Sequence, residues 1–177
     1  MSAIGARRAM GGAVAGALLL LSLSWGVASA TETLPAPQAA PILVVSGRIT
    51  ATNQDGKAVF DLALLQSLPR ASVTTETPWT DGEVRFEGVW MRDLMMRLGA
   101  QGQSVAATGI DEYRIEIPMV DFQDYDVLLA YAENGRPLRP DDKGPLWIIY
   151  PFSANPGLKK DIYFSRCVWQ LSGLTVQ

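Results

Sequence analysis

The run Leu146-Trp147-Ile148-Ile149-Tyr150 constrains this chain more than any other stretch, because every residue in it is branched or aromatic and prolines bound it on both sides. Gly144-Pro145 stops it at one end and Pro151 at the other. A short apolar run with such edges reads as a β-strand buried on both faces, and a strand of that kind has to be covered by a layer on each side. The Trp147 indole N–H and the Tyr150 hydroxyl must then each find a partner inside. The Tyr150 end of the strand is either plain core or the place where the core opens onto a ligand pocket.

The first 30 residues read as a leader. Arg7-Arg8 form a short basic region, Ala13 to Leu21 an apolar one, and Ala28-Ser29-Ala30 a small-x-small cleavage site. An uncleaved anchor is the alternative, since the apolar region approaches the ~20 residues that span a bilayer. The context of the paired arginines is a poor twin-arginine signal, so general secretion into the periplasm is expected. Residues 31–41, with Pro35, Pro37 and Pro41 among small residues, read as a mobile tether, and the domain is expected over 42–177.

Within the domain, strands are predicted over 42–49, 72–77, 84–89, 105–110, 114–118, 127–131, 146–150 and 163–171, and residues 58–60 lead from a turn into Asp61. Asp61 is placed to cap a short helix over 62–68. Apolar residues at Met91, Leu94, Met95 and Leu98, followed by Gly99, predict a second helix with a glycine stop. Asp55-Gly56 and Asn134-Gly135 are turn signals, and 121–125 reads as a polar connector. Many short strands with two brief helices make a mixed α+β domain dominated by β, with a sheet or barrel-like core.

Composition removes several chemistries. The chain has no histidine and one cysteine, so it lacks the parts of a standard zinc site, a Ser-His-Asp triad or a Cys-His pair. Two of its 15 basic side chains lie in the leader, leaving 13 against 18 acidic ones, a net of −5. That balance argues against nucleic acid or anionic lipid as the partner.

The order of motifs carries a resemblance. Phe60-Asp61-Leu62 and Leu68-Pro69 precede the Thr-rich strand, and Phe86-Glu87-Gly88-Val89 precedes the methionine-rich helix. Asp111-Glu112-Tyr113 leads into Ile117-Pro118, and Leu129-Ala130-Tyr131 into Asn134-Gly135-Arg136-Pro137-Leu138. Lys143-Gly144-Pro145-Leu146, Ile149-Tyr150-Pro151 and Ser165-Arg166-Cys167-Val168-Trp169 complete the series. In this order they resemble the molybdopterin-binding domain of the sulfite oxidase fold, in its short secreted form, over nearly the whole domain.

The resemblance implies a molybdopterin site in which a cysteine after the Thr-rich strand supplies a thiolate to the metal, as soft-ligand sites require. Here that loop reads Thr75-Glu76-Thr77-Pro78-Trp79 and has no sulfur. Cys167, on the predicted last strand, is expected to be a small buried hydrophobe rather than a metal ligand. Trp147 stands where the family often has an arginine for the cofactor's phosphate. What remains suits a pterin ring bound without its metal: an aromatic wall, a carboxylate for the ring's donors, and donors for its acceptors. Trp79 or Trp169 can stack, Asp111 can take the donor edge, and Arg166 with Tyr113, Tyr150 or Ser165 can serve the acceptors. Each also has a plain reading, in which Asp111 caps a turn, Arg166 pairs with an acid such as Glu76, and the tryptophans are core. The resemblance thus implies a periplasmic protein that binds a pterin without turnover and reports it to an inner-membrane signalling protein. A small periplasmic molybdopterin-dependent oxidoreductase is the alternative, and a binding domain with only protein partners a third.

Overall fold

The computed structural model describes residues 33–177; the leader expected over 1–30 lies outside them. In chain order the strands are β1 (Leu43–Gly47), β2 (Ala58–Phe60), β3 (Ala71–Glu76), β4 (Glu83–Trp90), β5 (Ser104–Gly109), β6 (Arg114–Pro118), β7 (Leu128–Glu133), β8 (Arg136–Pro137), β9 (Trp147–Ile149) and β10 (Leu171–Val176). Four short helices punctuate them: α1 (Leu62–Gln66), α2 (Met91–Arg97), α3 (Met119–Asp124) and α4 (Asp161–Phe164). One sheet has the order β2-β1-β10-β5-β6, in which β1 and β10 are parallel and the other pairs antiparallel. The other runs β3-β4-β7-β8. β8 and β9 share one edge of β7, β9 pairing with Leu128 to Ala130 and β8 with Ala132 and Glu133. The fold is therefore α+β and sheet-dominated, as the patterning predicts. Among the described residues no helix is long and apolar enough to cross a membrane.

The apolar run is buried on both faces because its alternation divides it between two cores. Trp147 and Ile149 pack with Phe86, Leu128 and Ala130 in a small cluster, while Ile148 and Tyr150 belong to the main core. On its far edge, away from β7, the run makes two bonds: Ile148 N–H donates to Val168 C=O and Leu146 C=O accepts from Leu171 N–H, each at 3.0 Å. The strand is central in packing, and nearly an edge in pairing. α2 buries Met91, Leu94, Met95 and Leu98 as its period requires, and Gly99 ends it at φ 56°. Both predicted Asx-Gly turns form, with φ 47° and 73° at Asp55-Gly56 and 46° and 75° at Asn134-Gly135.

Three expectations are corrected. The stretch from Leu34 onward is packed rather than free: Leu34 is buried in the main core, and the Gln38 and Ala39 N–H groups donate to Asp61 Oδ2 at 2.6 and 2.9 Å. Asp61 thus uses one oxygen to cap α1, accepting from Leu64 N–H at 2.7 Å, and the other to hold this stretch. Its carboxyl is held below the usual range first by the Leu64 N–H, then by that of Gln38. Second, the predicted connector 121–125 is largely α3, whose Asp121 and Phe122 are buried. Third, no strand covers 163–170. Tyr163 and Phe164 end α4, and the Phe164, Ser165, Arg166 and Cys167 N–H groups bond to carbonyls three or four residues back. Local acceptors satisfy that backbone before a ladder can, so aromatic and branched composition misled the strand assignment.

Candidate ligand pocket

Three segments converge on a cavity of about 300 Å³, at the small end for ligand sites. The loop after β3 supplies Trp79, the β5–β6 turn supplies Asp111 and Tyr113, and the segment from α4 to β10 supplies Phe164, Ser165, Cys167, Val168 and Trp169. Hydrogen bonds fix these segments to one another. Ile110 N–H donates to Gln170 C=O at 3.0 Å, and the Tyr113 hydroxyl to Ser165 C=O at 3.0 Å. The first loop is held at its base by Ser153, whose N–H donates to Thr75 Oγ1 at 2.9 Å and whose Oγ accepts from Glu76 N–H at 3.1 Å.

Trp79 is the hub of the aromatic wall. Its ring lies edge to face against Trp169 at 5.3 Å, Trp147 at 6.0 Å and Phe164 at 6.3 Å. Such T-shaped pairs lock ring orientation as well as burying area. Trp147 in turn donates its indole N–H to Cys167 C=O at 3.2 Å, the partner its burial demands. At the mouth, Trp169 is 38% exposed and Tyr113 44%, so the pocket is open to solvent.

Asp111 sits at this mouth. Its Oδ1 accepts from Tyr113 N–H at 3.1 Å, so it does cap its own turn, and Oδ2 is left facing no described donor. Gly109 makes the room: a Cβ there would fall 2.8 Å from Asp111 Oδ1. Glu112 completes the turn at φ 68°.

Of the seven residues singled out from sequence, Trp79, Asp111, Tyr113, Ser165 and Trp169 line this one cavity, and Tyr150 and Arg166 do not. Those two lie behind it on the buried carboxylate of Asp121. Oδ2 of Asp121 accepts from the Tyr150 hydroxyl at 2.6 Å and from Arg166 Nη1 at 2.7 Å. The guanidinium also rests 5.3 Å from the centre of the Tyr163 ring, and its Nε is buried without a hydrogen-bond partner. Burial, reinforced by Asp121, pushes the Tyr150 hydroxyl well above the usual phenol range. The acid suggested for Arg166, Glu76, is held instead by Lys159 Nζ. Asp121 was missed because its stretch read as a connector.

Cys167, Phe164 and Val168 were also missed as wall residues. Cys167 shares the cavity with Trp79 and Asp111, contrary to its expected place on a strand. It is nonetheless 3% exposed, its Sγ lies 3.5 Å from Tyr163 C=O as a donor, and burial pushes its thiol up to about 12. The motif Ser165 to Trp169 was the available signal, since it places the cysteine between two wall residues.

These side chains fit part of molybdopterin. A flat heterocycle finds aromatic walls and a carboxylate for its donor edge. The phosphate finds no lysine or arginine among the lining residues, because Arg166 is committed to Asp121. The one sulfur is sealed from solvent and bonded to a carbonyl. The lining thus offers partners for a flat ring and no cation for a phosphate.

No curated protein matches the chain. Among solved structures it is similar to the sulfane dehydrogenase SoxCD from Paracoccus pantotrophus, at 19% identity and a TM-score of 0.56. The match covers 76% of this chain and 37% of that one, so the chain spans well under half of the matched protein, and at this identity the likeness speaks for the fold. The sulfite oxidase-type fold implied by the motif order is the fold observed. Residues 55–156, more than half of the chain, match the model of the oxidoreductase molybdopterin binding domain, and the chain belongs to that family.

Proposed function

We propose that this protein binds a pterin without turning it over and reports its presence to a signalling protein of the inner membrane. The observation that carries the reading is the cavity itself: perpendicular Trp79 and Trp169 rings beside the unused oxygen of Asp111, with no cation on the wall. A pterin stacked on one indole meets the edge of the other. Its amino and ring N–H groups then face Asp111 Oδ2. The N-terminal leader supports a periplasmic location, and the open mouth beside Tyr113 and Trp169 gives a partner access to a bound ligand.

The test is a native mass spectrum of protein purified from the periplasm, with fluorescence and metal analysis on the same sample. A retained pterin with substoichiometric molybdenum is expected. Stoichiometric molybdenum lost in Cys167→Ser would overturn the reading in favour of a small molybdopterin-dependent oxidoreductase, which the presence of Cys167 in the cavity wall keeps in play.

A further inference from the structure

A second cavity, of about 430 Å³, lies between α1 and the β3-β4-β7 sheet and shares no residue with the first. Its polar wall is rich in donors. Arg70 follows the proline that ends α1, Ser72 lies on β3, Arg85 on β4, and Gln66 on the last turn of α1. Arg70 has no acid partner among the described residues, although acidic side chains outnumber basic ones in the domain. Arg85 has one weak contact, Nε to Glu87 Oε1 at 3.6 Å, and its side chain is 60% exposed.

Tyr131 points to a ligand independently of the arginines. The residue is only 8% exposed and its ring belongs to the main core, yet it lines this cavity and its hydroxyl bonds to no described group. The ring is buried while the hydroxyl, with no protein partner, opens on the cavity, where it is available to donate to something that enters. Leu62, 37% exposed at the rim, supplies an apolar surface beside the polar one.

We propose that this groove binds a small organic oxyanion, its oxygens taken by Arg70, Arg85 and the Tyr131 hydroxyl and its body lying against Leu62. Two guanidinium groups and a phenol are a donor set for a carboxylate or a phosphate monoester, and Glu87 swings off Arg85 when the anion arrives. The cavity is too large for a bare inorganic ion and within the range of small organic ligands. The site is separate from the pterin pocket and does not rest on that reading.

Titration calorimetry of the secreted chain with phenyl phosphate and with benzoate, at constant ionic strength, tests the proposal and separates the two anion classes. Saturable binding of either probe is expected, weakened about tenfold in Arg70→Gln and in Arg85→Gln, as loss of a charge-assisted bond implies. Tyr131→Phe weakens it less, and all three variants keep the melting temperature and the pterin affinity of the parent. The proposal is overturned if neither probe saturates, if sodium chloride reproduces the heats, or if Arg70→Gln and Arg85→Gln bind like the parent.

Discussion

The indole rings of Trp79 and Trp169 stand almost perpendicular, 84° apart with centroids 5.3 Å from one another, although 90 positions separate them in the chain. One comes from the loop after β3 and the other from the approach to β10, so neither segment makes the wall alone. The two rings also differ in what else they touch. Trp79 is braced by Trp147 and Phe164, whereas Trp169 is partly exposed.

Substitution separates these roles. Trp169→Ala is expected to lower pterin affinity about tenfold, the scale of a lost base-to-aromatic stack, with little change in melting temperature. Trp79→Ala lowers both, because it also opens a hole beside Trp147. Fluorescence titration paired with thermal melting checks this, and unchanged affinity in Trp169→Ala would remove that ring from the site.

In the proposed site, Asp111 is the wall's acceptor for the pterin's donor edge. Asp111→Asn replaces one acceptor oxygen by a donor and is expected to cost about 1 kcal/mol of pterin binding, the low end for such a loss because the residue is exposed. Gly109→Ala acts through the same group: its methyl displaces Asp111 Oδ1 and reproduces the loss while leaving the carboxylate's chemistry unchanged. Calorimetry on the two variants decides it; a Gly109→Ala protein that binds normally contradicts the placement of Asp111.

Arg166 ties α3 to the segment after α4 behind the pocket, through Asp121. Its side chain is 13% exposed and that of Asp121 7%, so Arg166→Ala strands a buried carboxylate and is expected to destabilise the chain by about 3 kcal/mol. Tyr150→Phe, which leaves Asp121 its arginine, costs about 1 kcal/mol. Urea denaturation measures both. If Arg166→Ala instead kept full stability and lost pterin affinity, the residue would belong to the site after all.

Cys167 sets an alkaline limit. Its thiol lies above its unfolded value of 9.0, at about 12, because burial disfavours the thiolate. The folded state therefore holds the proton more tightly. The resulting stability is fully present below pH 9 and is lost as pH rises toward 12, by about 1.4 kcal/mol per pH unit for one proton. Tyr150, also raised, acts in the same direction. Stability followed from pH 8 to 10.5 is expected to fall more steeply in the parent than in Cys167→Ala. Equal slopes would mean that the thiol ionises freely in the folded chain.

Much of the fold was legible from local pattern. The prolines and unbroken apolar run marked β9, the i, i+3, i+4 spacing marked α2, and the Asx-Gly pairs marked two turns, because each rests on residues within one element. The motif order extended that reading to the family and brought five wall residues together. It failed where composition and hydrogen bonding disagree: Tyr163 to Val168 has the composition of a strand and the local bonds of a helical turn. It failed again at Arg166, whose partner Asp121 lies 45 positions away on a helix hidden in a polar stretch.

The amino-acid order alone determined which side chains leave water, since alternation and helical spacing are properties of neighbours along the chain. Tertiary structure decided which buried charges meet, which rings face one another, and that the only thiol borders the pocket yet stays sealed. Those outcomes depend on how separate elements dock, and no local period encodes the contact between two distant segments.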